Sequence, residues 1–333
     1  MMAVVWKDLE DWAAEQGLGL AYGSPGVLDI VKADLEERHA MGDIDDSLWG
    51  ERLAGAFRYL DGAAFPVRSV IVFTKPRPAH YAIFNLSEGP VRVPVPPTYV
   101  RYGAVARELR ESLLAGPLAE AQLAPLSAPL KNVASRLGLV VYGRKNITYA
   151  PGAGSYHQLM GYACDLEPPT SGPGLRQAMP PETALDCEGC GLCREACPTG
   201  AIPDDDRFVL RAGRCLTFLN ESTDPWPEWL PSSVHHALVG CLICQEACPM
   251  NRGRLRYEDL QPAFGVEETA WLLRSARTTR AADPLLGAIK AKFEAVGLSG
   301  YETIAGRNLA VCLAARRPCR RHREGFAERG DLA

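Results

Sequence analysis

The sequence lacks any apolar run long enough to cross a lipid bilayer, and it has little net charge of either sign. A membrane-spanning helix needs about 20 consecutive apolar residues, and no stretch of these 333 residues approaches that length. The N-terminus turns acidic at Asp8 and Glu10, which excludes the apolar core of a secretory signal. The net charge of −4 gives no overall attraction to nucleic acid. The sequence therefore predicts a cytoplasmic protein with no membrane partner.

Cysteine is the residue type that the sequence has in excess. The chain contains 11 cysteines, most of which fall in two closely spaced runs with a lone cysteine between them. The first run reads Cys-x-x-Cys-x-x-Cys-x-x-x-Cys-Pro, and the second reads Cys-x-x-Cys-x-x-x-Cys-Pro. The cysteines of this pattern are Cys187, Cys190, Cys193, Cys197, Cys215, Cys241, Cys244 and Cys248. The remaining three, Cys164, Cys312 and Cys319, are interpreted as thiols outside the pattern.

The first run has the spacing of bacterial ferredoxins, in which three thiolates bind one [4Fe-4S] cluster and the fourth, before proline, binds the other. The first predicted ligand set is Cys187, Cys190, Cys193 and Cys248. The second predicted ligand set is Cys197, Cys215, Cys241 and Cys244, with Cys215 replacing the missing first cysteine of the second run. Gly189 and Gly191 allow the tight loop that places three thiolates around one cluster.

Structural zinc sites and a disulfide framework are the two alternative interpretations of the cysteines. Structural zinc sites also use Cys-x-x-Cys pairs, but they need neither a third cysteine in register nor a following proline. A disulfide framework requires an oxidising compartment, and no secretion signal is present. Iron and sulfide are therefore the predicted cofactor components.

Apolar periodicity and turn residues predict an α/β N-terminal domain. The predicted helices of this domain are 5–17, 27–39, 47–60, about 101–114 and 129–137. A β-branched run at 67–74 is typical of a central strand, and the proline-rich segment 90–97 is predicted to be extended. Segments 139–146 and 155–164 are predicted to form a hairpin around a glycine-containing turn at 151–154.

A composition change after residue 165 indicates a linker, and helices are predicted again at 267–276, 284–296 and 301–315. The predicted domains are 1–170, an α/β domain that holds a cofactor or substrate; 171–253, a ferredoxin-like domain with two clusters; and 254–333, a short helical C-terminal cap.

Three sequence segments resemble epoxyqueuosine reductases. The cysteine segment carries the resemblance most specifically, because its lone Arg-Cys at 214–215 is absent from ordinary ferredoxins. Gly-Leu-Val-Val-Tyr-Gly-Arg-Lys-Asn at 138–146 is similar to the Gly-Leu-Gly-Trp-x-Gly-Lys segment of that family, and Arg-Asn-Leu-Ala at 307–310 resembles a motif of its helical repeats. The plan also resembles that of cobalamin-dependent reductive dehalogenases.

The resemblance implies a nitroreductase-like α/β fold with cobalamin, into which the two-cluster domain is inserted. It further implies an oxidoreductase that receives electrons from a ferredoxin or flavodoxin and reduces the epoxide of a modified tRNA nucleoside to an alkene. The residues predicted to contact a corrinoid or phosphate-bearing ligand are Tyr142, Gly143, Arg144, Lys145, Asn146, Gly152, Gly154 and His157. A solvated turn and a packed histidine explain the same residues.

This sequence departs from the family at the catalytic acid. The family places a carboxylate shortly before the helix that leads into the Gly-Leu-Gly-Trp segment, whereas residues 122–129 here contain no ionisable side chain. The sequence therefore predicts a divergent paralogue. Two functions stay open: a cobalamin-dependent reductase of a small or nucleoside substrate, and an electron-transfer or partner-binding protein without its own cofactor-dependent catalysis. A basic tail at 316–323 suggests tRNA as a further partner, but a solvated terminus is the favoured explanation of the same residues.

Overall fold

The computed structural model describes residues 2–55, 57, 59–171, 174–175, 183–204, 209–275 and 284–315. Internal contacts divide the chain into two compact units. Unit 1 consists of the described residues within Met1–Ala79, Pro97–Cys215 and Leu242–Glu258, and unit 2 of those within His80–Pro96, Leu216–Cys241 and Asp259–Ala333. Unit 1 thus takes residues from all three segments predicted as domains. The basic tail and Cys319 lie outside the described residues.

The helices and strands follow one another along the described part of the chain. The helices are α1 (Met2–Glu15), α2 (Val27–Ala40), α3 (Asp46–Leu48), α4 (Tyr102–Ala115), α5 (Leu130–Arg136), α6 (Leu192–Ala196), α7 (Leu216–Glu221), α8 (Ile243–Glu246), α9 (Val266–Ser275), α10 (Pro284–Ala295) and α11 (Glu302–Ala315). The strands are β1 (Gly19–Gly23), β2 (Ser69–Pro76), β3 (Ala79–Leu86), β4 (Gly89–Val95), β5 (Leu123–Pro125), β6 (Val141–Tyr142), β7 (Thr148–Tyr149), β8 (His157–Cys164) and β9 (Tyr257–Asp259).

Unit 1 is built on a four-stranded sheet in the order β1-β2-β8-β5, in which every neighbouring pair is antiparallel. Strand β2 pairs with β8 along its whole length, and its first six residues are buried. A strand that is covered on both faces has a continuous apolar run, which here is 70–73. The predicted central strand at 67–74 is confirmed.

Helices cover both faces of this sheet. Successive side chains of β2 point to opposite faces, so each face contributes its own set of apolar side chains. Val70 and Val72 pack on one face with α2 and α5, where Val31 is also fully buried. Ile71 and Phe73 pack on the other face with α1 and α4. That second group includes Trp6, Leu9, Val105, Leu109 and Leu113. The predicted α/β class is confirmed as a mixed α/β fold.

The predicted helix at 47–60 is wrong. Among the residues of this segment that the structure describes, only those of α3 are α-helical, and α3 continues as one π-helical turn over Trp49–Leu53. Gly50 and Gly55 fall inside the predicted helix, and glycine has a high conformational entropy cost in a helix interior. The apolar residues of the segment nevertheless pack, partly buried, against the side of unit 1 that contains α2 and α5.

The predicted hairpin between 139–146 and 155–164 is also wrong. Strand β6 pairs with β7 across a tight turn at 143–147, in which Asn146 has a φ of +57°. Strand β8 pairs with β2 and β5 instead, and all eight of its residues are buried. Asparagine tolerates the left-handed region, so Asn146 allows the turn between β6 and β7. This turn lies before the predicted glycine-containing turn at 151–154.

Unit 2 contains the C-terminal helices and most of a three-stranded sheet in the order β4-β3-β9. Phe84 of β3 stacks on Phe264 with ring centroids 4.8 Å apart, and Phe264 lies 4.9 Å from Phe293 of α10. The three predicted C-terminal helices are confirmed as α9, α10 and α11. Within the described residues, no helix has the length and apolar content needed to cross a membrane.

Candidate iron-sulfur site

The first cysteine run forms a short loop followed by one turn of helix. The backbone N–H of Cys190 donates to the carbonyl of Cys187, and Gly189 adopts a φ of +67° between them. A left-handed residue at this place turns the chain sharply enough to bring the next cysteine back toward the first. Cys193 follows in the first turn of α6.

Three cysteines of the first run and one of the second run line one cavity of unit 1, with a volume of about 370 Å³. They are Cys187, Cys190, Cys193 and Cys248. The structure therefore brings together the complete first ligand set. The cavity is also lined by Arg144, Lys145, Tyr149, Asp186, Leu192, Pro249 and Met250.

The protein already supplies hydrogen bonds and positive charge to these sulfur atoms. The Tyr149 hydroxyl lies 2.9 Å from the Cys248 Sγ, and the Arg144 backbone N–H donates to the Cys187 thiol. Burial raises the pKa of the Cys187 and Cys193 thiols. Iron binds thiolates, and a bound cation reverses the effect of burial on such thiols. Four convergent thiols with donors beside them fit a [4Fe-4S] cluster.

Three members of the second ligand set lie in unit 1, whereas Cys241 is the last residue of its segment in unit 2. Cys244 interacts electrostatically with Cys197 and Cys215, and burial raises the pKa of Cys244 to about 12. Burial also acts on Cys197, but hydrogen bonds from the hydroxyl and backbone of Thr199 and from the backbone of two following residues lower its pKa. Among the described residues, no three His, Cys, Asp or Glu side chains are grouped to hold a single metal ion.

A buried polar network fixes the loop that carries Cys248. The side-chain oxygen of Asn251 accepts from the Ser155 backbone N–H at 2.9 Å, and its amide donates to the Ser155 Oγ at 2.7 Å and to the Gln245 carbonyl at 2.8 Å. The Ser155 Oγ lies 2.9 Å from the Gln245 Oε1. All three side chains are buried. Sequence analysis missed them, because no spacing pattern relates Ser155 to residues about 90 positions later.

The predicted cofactor residues 142–146 lie at the end of β6 and in the following turn. Tyr142 and Lys145 are buried, and burial raises the pKa of the Tyr142 hydroxyl. Gly143 faces the Tyr149 ring so closely that a Cβ there would lie 2.5 Å from a ring carbon. The Asn146 carbonyl accepts from Lys131 at 3.0 Å. Arg144 and Lys145 thus line the cysteine cavity, whereas Tyr142 lies in the protein interior.

The other predicted cofactor residues, Gly152, Gly154 and His157, make contacts inside unit 1. The Gly152 carbonyl accepts from Arg254. A Cβ on Gly154 would lie 2.5 Å from the Asn251 Oδ1, so that side of the backbone is already filled. The two ring nitrogens of His157 contact the Gly154 carbonyl at 3.1 Å and the Thr148 Oγ1 at 3.2 Å. Gly154 and His157 are therefore engaged by other groups of unit 1, whereas the space beside Gly152 is open.

In unit 2, two buried asparagines fix the segment that leads to Cys241. The Asn308 amide of α11 donates to the carbonyls of Asn220 and Leu238, both at 2.9 Å. The Asn220 amide donates to the Gly240 carbonyl at 3.0 Å, immediately before Cys241. Side chains of unit 2 therefore order the backbone immediately before Cys241.

His235 extends the same network. Its Nδ1 donates to the Asn220 Oδ1 at 3.1 Å, and its ring lies 4.2 Å from that of Trp226. The guanidinium of Arg307 lies 4.4 Å from the Trp226 ring centroid. Burial, then the charges of Arg307 and His236, lower the pKa of His235 to about 4.

We expect this histidine to make unit 2 less stable in acid. The unfolded histidine has a pKa of about 6.5, so the unfolded chain binds a proton that the folded chain rejects between pH 6.5 and 4. The stability from neutral His235 is complete above about pH 6.5 and falls by up to roughly 3 kcal/mol as the pH approaches 4. Urea midpoints at pH 7 and pH 5 will show a larger decrease for the wild type than for His235→Gln. Equal decreases in the two proteins would contradict the assignment.

Residues 186–251 match the family model of a 4Fe-4S double cluster binding domain. This segment contains every cysteine of both predicted ligand sets.

Curated relatives and solved structures point to one enzyme family. The epoxyqueuosine reductase of Synechococcus sp. is 34% identical over 134 residues, which is 39% of this chain and 38% of that protein. The Bacillus subtilis epoxyqueuosine reductase is 37% identical over 68 residues, 20% of this chain and 17% of that protein. The chain thus matches well under half the length of these curated relatives.

The structural likeness extends further. A structure of the Bacillus subtilis enzyme, with its catalytic loop swung out of the active site, covers 95% of this chain and 82% of its own, with 21% identity and a TM-score of 0.62. An epoxyqueuosine reductase in complex with an epoxyqueuosine-modified tRNA stem loop gives the same coverage and TM-score at 20% identity. The fold is therefore shared with these enzymes. The predicted resemblance is confirmed, and the chain is an epoxyqueuosine reductase-like iron-sulfur protein.

Proposed function

We propose that this protein is a reductase whose two [4Fe-4S] clusters deliver electrons to a substrate held by its α/β domain. The observation that carries the proposal is the convergence of Cys187, Cys190, Cys193 and Cys248 on one cavity within a segment that matches the double-cluster model. The second cluster is assigned to Cys197, Cys215, Cys241 and Cys244. Cys241 enters that set from the spacing of the cysteines.

When bound, the clusters supply low-potential electrons one at a time. The side chains of this protein bind the iron, donate hydrogen bonds to the thiolate sulfurs and place positive charge beside them. Reduction of an epoxide to an alkene takes up two electrons and two protons and releases water, so it needs a proton source. A tRNA-borne nucleoside is the substrate class that we infer, because a structural relative is solved with such a stem loop.

No step is assigned to a corrinoid, since His157 and Gly154, two of the residues that the sequence suggests for one, are engaged by this chain's own contacts. His157 uses both ring nitrogens within unit 1, and the open side of Gly154 is filled by Asn251.

The second candidate function is electron transfer to a partner protein without a substrate reaction. The observation that favours it is the acid-free segment at 122–129. Leu126 of that segment is buried in the apolar group with α2 and α5, and its backbone N–H donates to the Gly161 carbonyl at 2.9 Å. An apolar side chain at this position gives no proton.

Anaerobic purification distinguishes these functions. We expect about eight irons and eight sulfides per chain, with an EPR signal after reduction by dithionite. Turnover of an epoxyqueuosine-containing tRNA stem loop, followed by mass spectrometry of the nucleosides, will identify the reductase. Full iron content without turnover will favour the electron-transfer protein, and an iron-free, zinc-loaded protein will contradict both. Cobalt analysis of the same sample tests the exclusion of a corrinoid.

A further inference from the structure

Lys145 is a fully enclosed cation at the cysteine cavity. It lies in the turn between β6 and β7 with only 2% of its surface exposed. Its Nζ donates to the Cys244 carbonyl at 3.0 Å and lies 5.2 Å from the centroid of the Tyr149 ring. Burying an ammonium group costs several kcal/mol unless a compensating negative charge is close. A single carbonyl does not provide that charge.

Lys145 reaches residues of both predicted ligand sets. It lines the cavity together with Cys187, Cys193 and Cys248 of the first set, and its ammonium donates to the backbone carbonyl of Cys244 of the second set. A [4Fe-4S] cluster held by four thiolates has a net negative charge, which increases when it accepts an electron. A fixed positive charge stabilises the reduced form and raises its potential, because charge and hydrogen bonding at the sulfurs set cluster potentials.

Tyr149 differs from Lys145 in reaching one ligand set only. Its hydroxyl contacts the Cys248 Sγ, and a metal-bound thiolate has no proton, so the tyrosine must donate. Its ring packs under the Lys145 ammonium. Replacing this tyrosine by phenylalanine removes the hydrogen bond and keeps the ring.

We propose that Lys145 is shared by the two clusters and that its positive charge raises the reduction potential of both. Tyr149 acts on the first cluster alone. The shared cation lets both clusters hold an electron at the same time, so that two electrons are available for a two-electron reduction. This inference rests on the proposed function, because it needs both clusters.

The test is an EPR-monitored redox titration of the anaerobic full-length protein. In Lys145→Met, we expect both potentials to become more negative. In Tyr149→Phe, only one potential will fall. The double variant Tyr149→Phe with Cys215→Ala keeps only the first cluster. A lowered potential in that protein identifies the affected cluster as the one that Cys248 binds.

Matched variants separate these effects from general damage. Lys7→Met removes an exposed lysine that pairs with Asp11 on α1, and Tyr162→Phe removes a buried hydroxyl that donates to the Ala106 carbonyl. Both will leave the potentials unchanged. Lys145→Arg keeps the charge, so it will stay near the wild-type potentials even where Lys145→Met binds clusters poorly.

Two results would overturn the inference. One is Lys145→Met with full iron content and unmoved potentials, and the other is Lys145→Arg with potentials as low as those of the methionine variant. A wild-type protein without about eight irons would instead contradict the proposed function, so the two failures are distinguishable.

Discussion

Cys248→Ala is expected to purify with about four irons in place of about eight. Cys248 is the member of the first ligand set that comes from the second cysteine run, and it lies at the same cavity as the other three thiols. Removing it leaves three ligands and an opening beside Tyr149. Cys215→Ala will also halve the iron content, but it will leave the other cluster. The EPR signals of the two half-loaded proteins should therefore differ and should sum to that of the wild type.

The control for both variants is Cys164→Ala. Cys164 is buried at the end of β8, and its sulfur contacts the Leu166 backbone N–H at 3.5 Å. This variant will lose some packing but no iron. Retention of all eight irons in Cys215→Ala would refute the second ligand set, and retention in Cys248→Ala would refute the first.

Asn308→Leu is expected to destabilise unit 2 by about 2–6 kcal/mol. Leucine has nearly the same side-chain shape as asparagine, but it leaves two buried backbone carbonyls without the donor that Asn308 provides. Each such carbonyl costs about 1–3 kcal/mol. That loss is a large fraction of the roughly 5–15 kcal/mol that stabilises a typical domain. Because the Asn308 network reaches Gly240, iron at the second cluster will also fall. Chemical denaturation and iron analysis will measure the two effects.

Asn85→Ala is the control for Asn308→Leu, because it removes a weaker asparagine contact within unit 2. Asn85 donates one side-chain hydrogen bond, to the Phe264 carbonyl at 2.9 Å, and it is only partly buried. We expect a smaller loss of stability and no loss of iron. If Asn308→Leu lowers stability while iron stays complete, the network supports α11 without ordering the segment before Cys241.

The sequence predicts best the features that depend on neighbouring residues. Cysteines two or three positions apart are held by one loop, so their spacing alone indicates the cluster. The helices α9 to α11 follow from apolar periodicity over ten or more residues. The segment at 47–60 shows the limit of that method, because its apolar face packs as expected although glycines interrupt the helix.

Features that depend on topology were not predictable. The sequence predicts that Lys145 contacts a corrinoid or phosphate group, since a turn with Arg, Lys and Asn offers donors. Its actual partner, the Cys244 carbonyl, is 99 residues away in sequence. The pairing of β8 with β2, and the contact of Ser155 with Asn251, likewise depend on which distant strands and loops meet.

The Ser155, Gln245 and Asn251 network orders the Cys248 loop through hydrogen bonds among the protein's own groups. In a zinc finger the peptide is unfolded until the metal binds, and the whole cost of ordering the ligands opposes metal binding. Here hydrogen bonds to Ser155, which precedes β8, order part of the ligand loop. Iron binding at Cys248 therefore has to supply less of the conformational cost of ordering that loop.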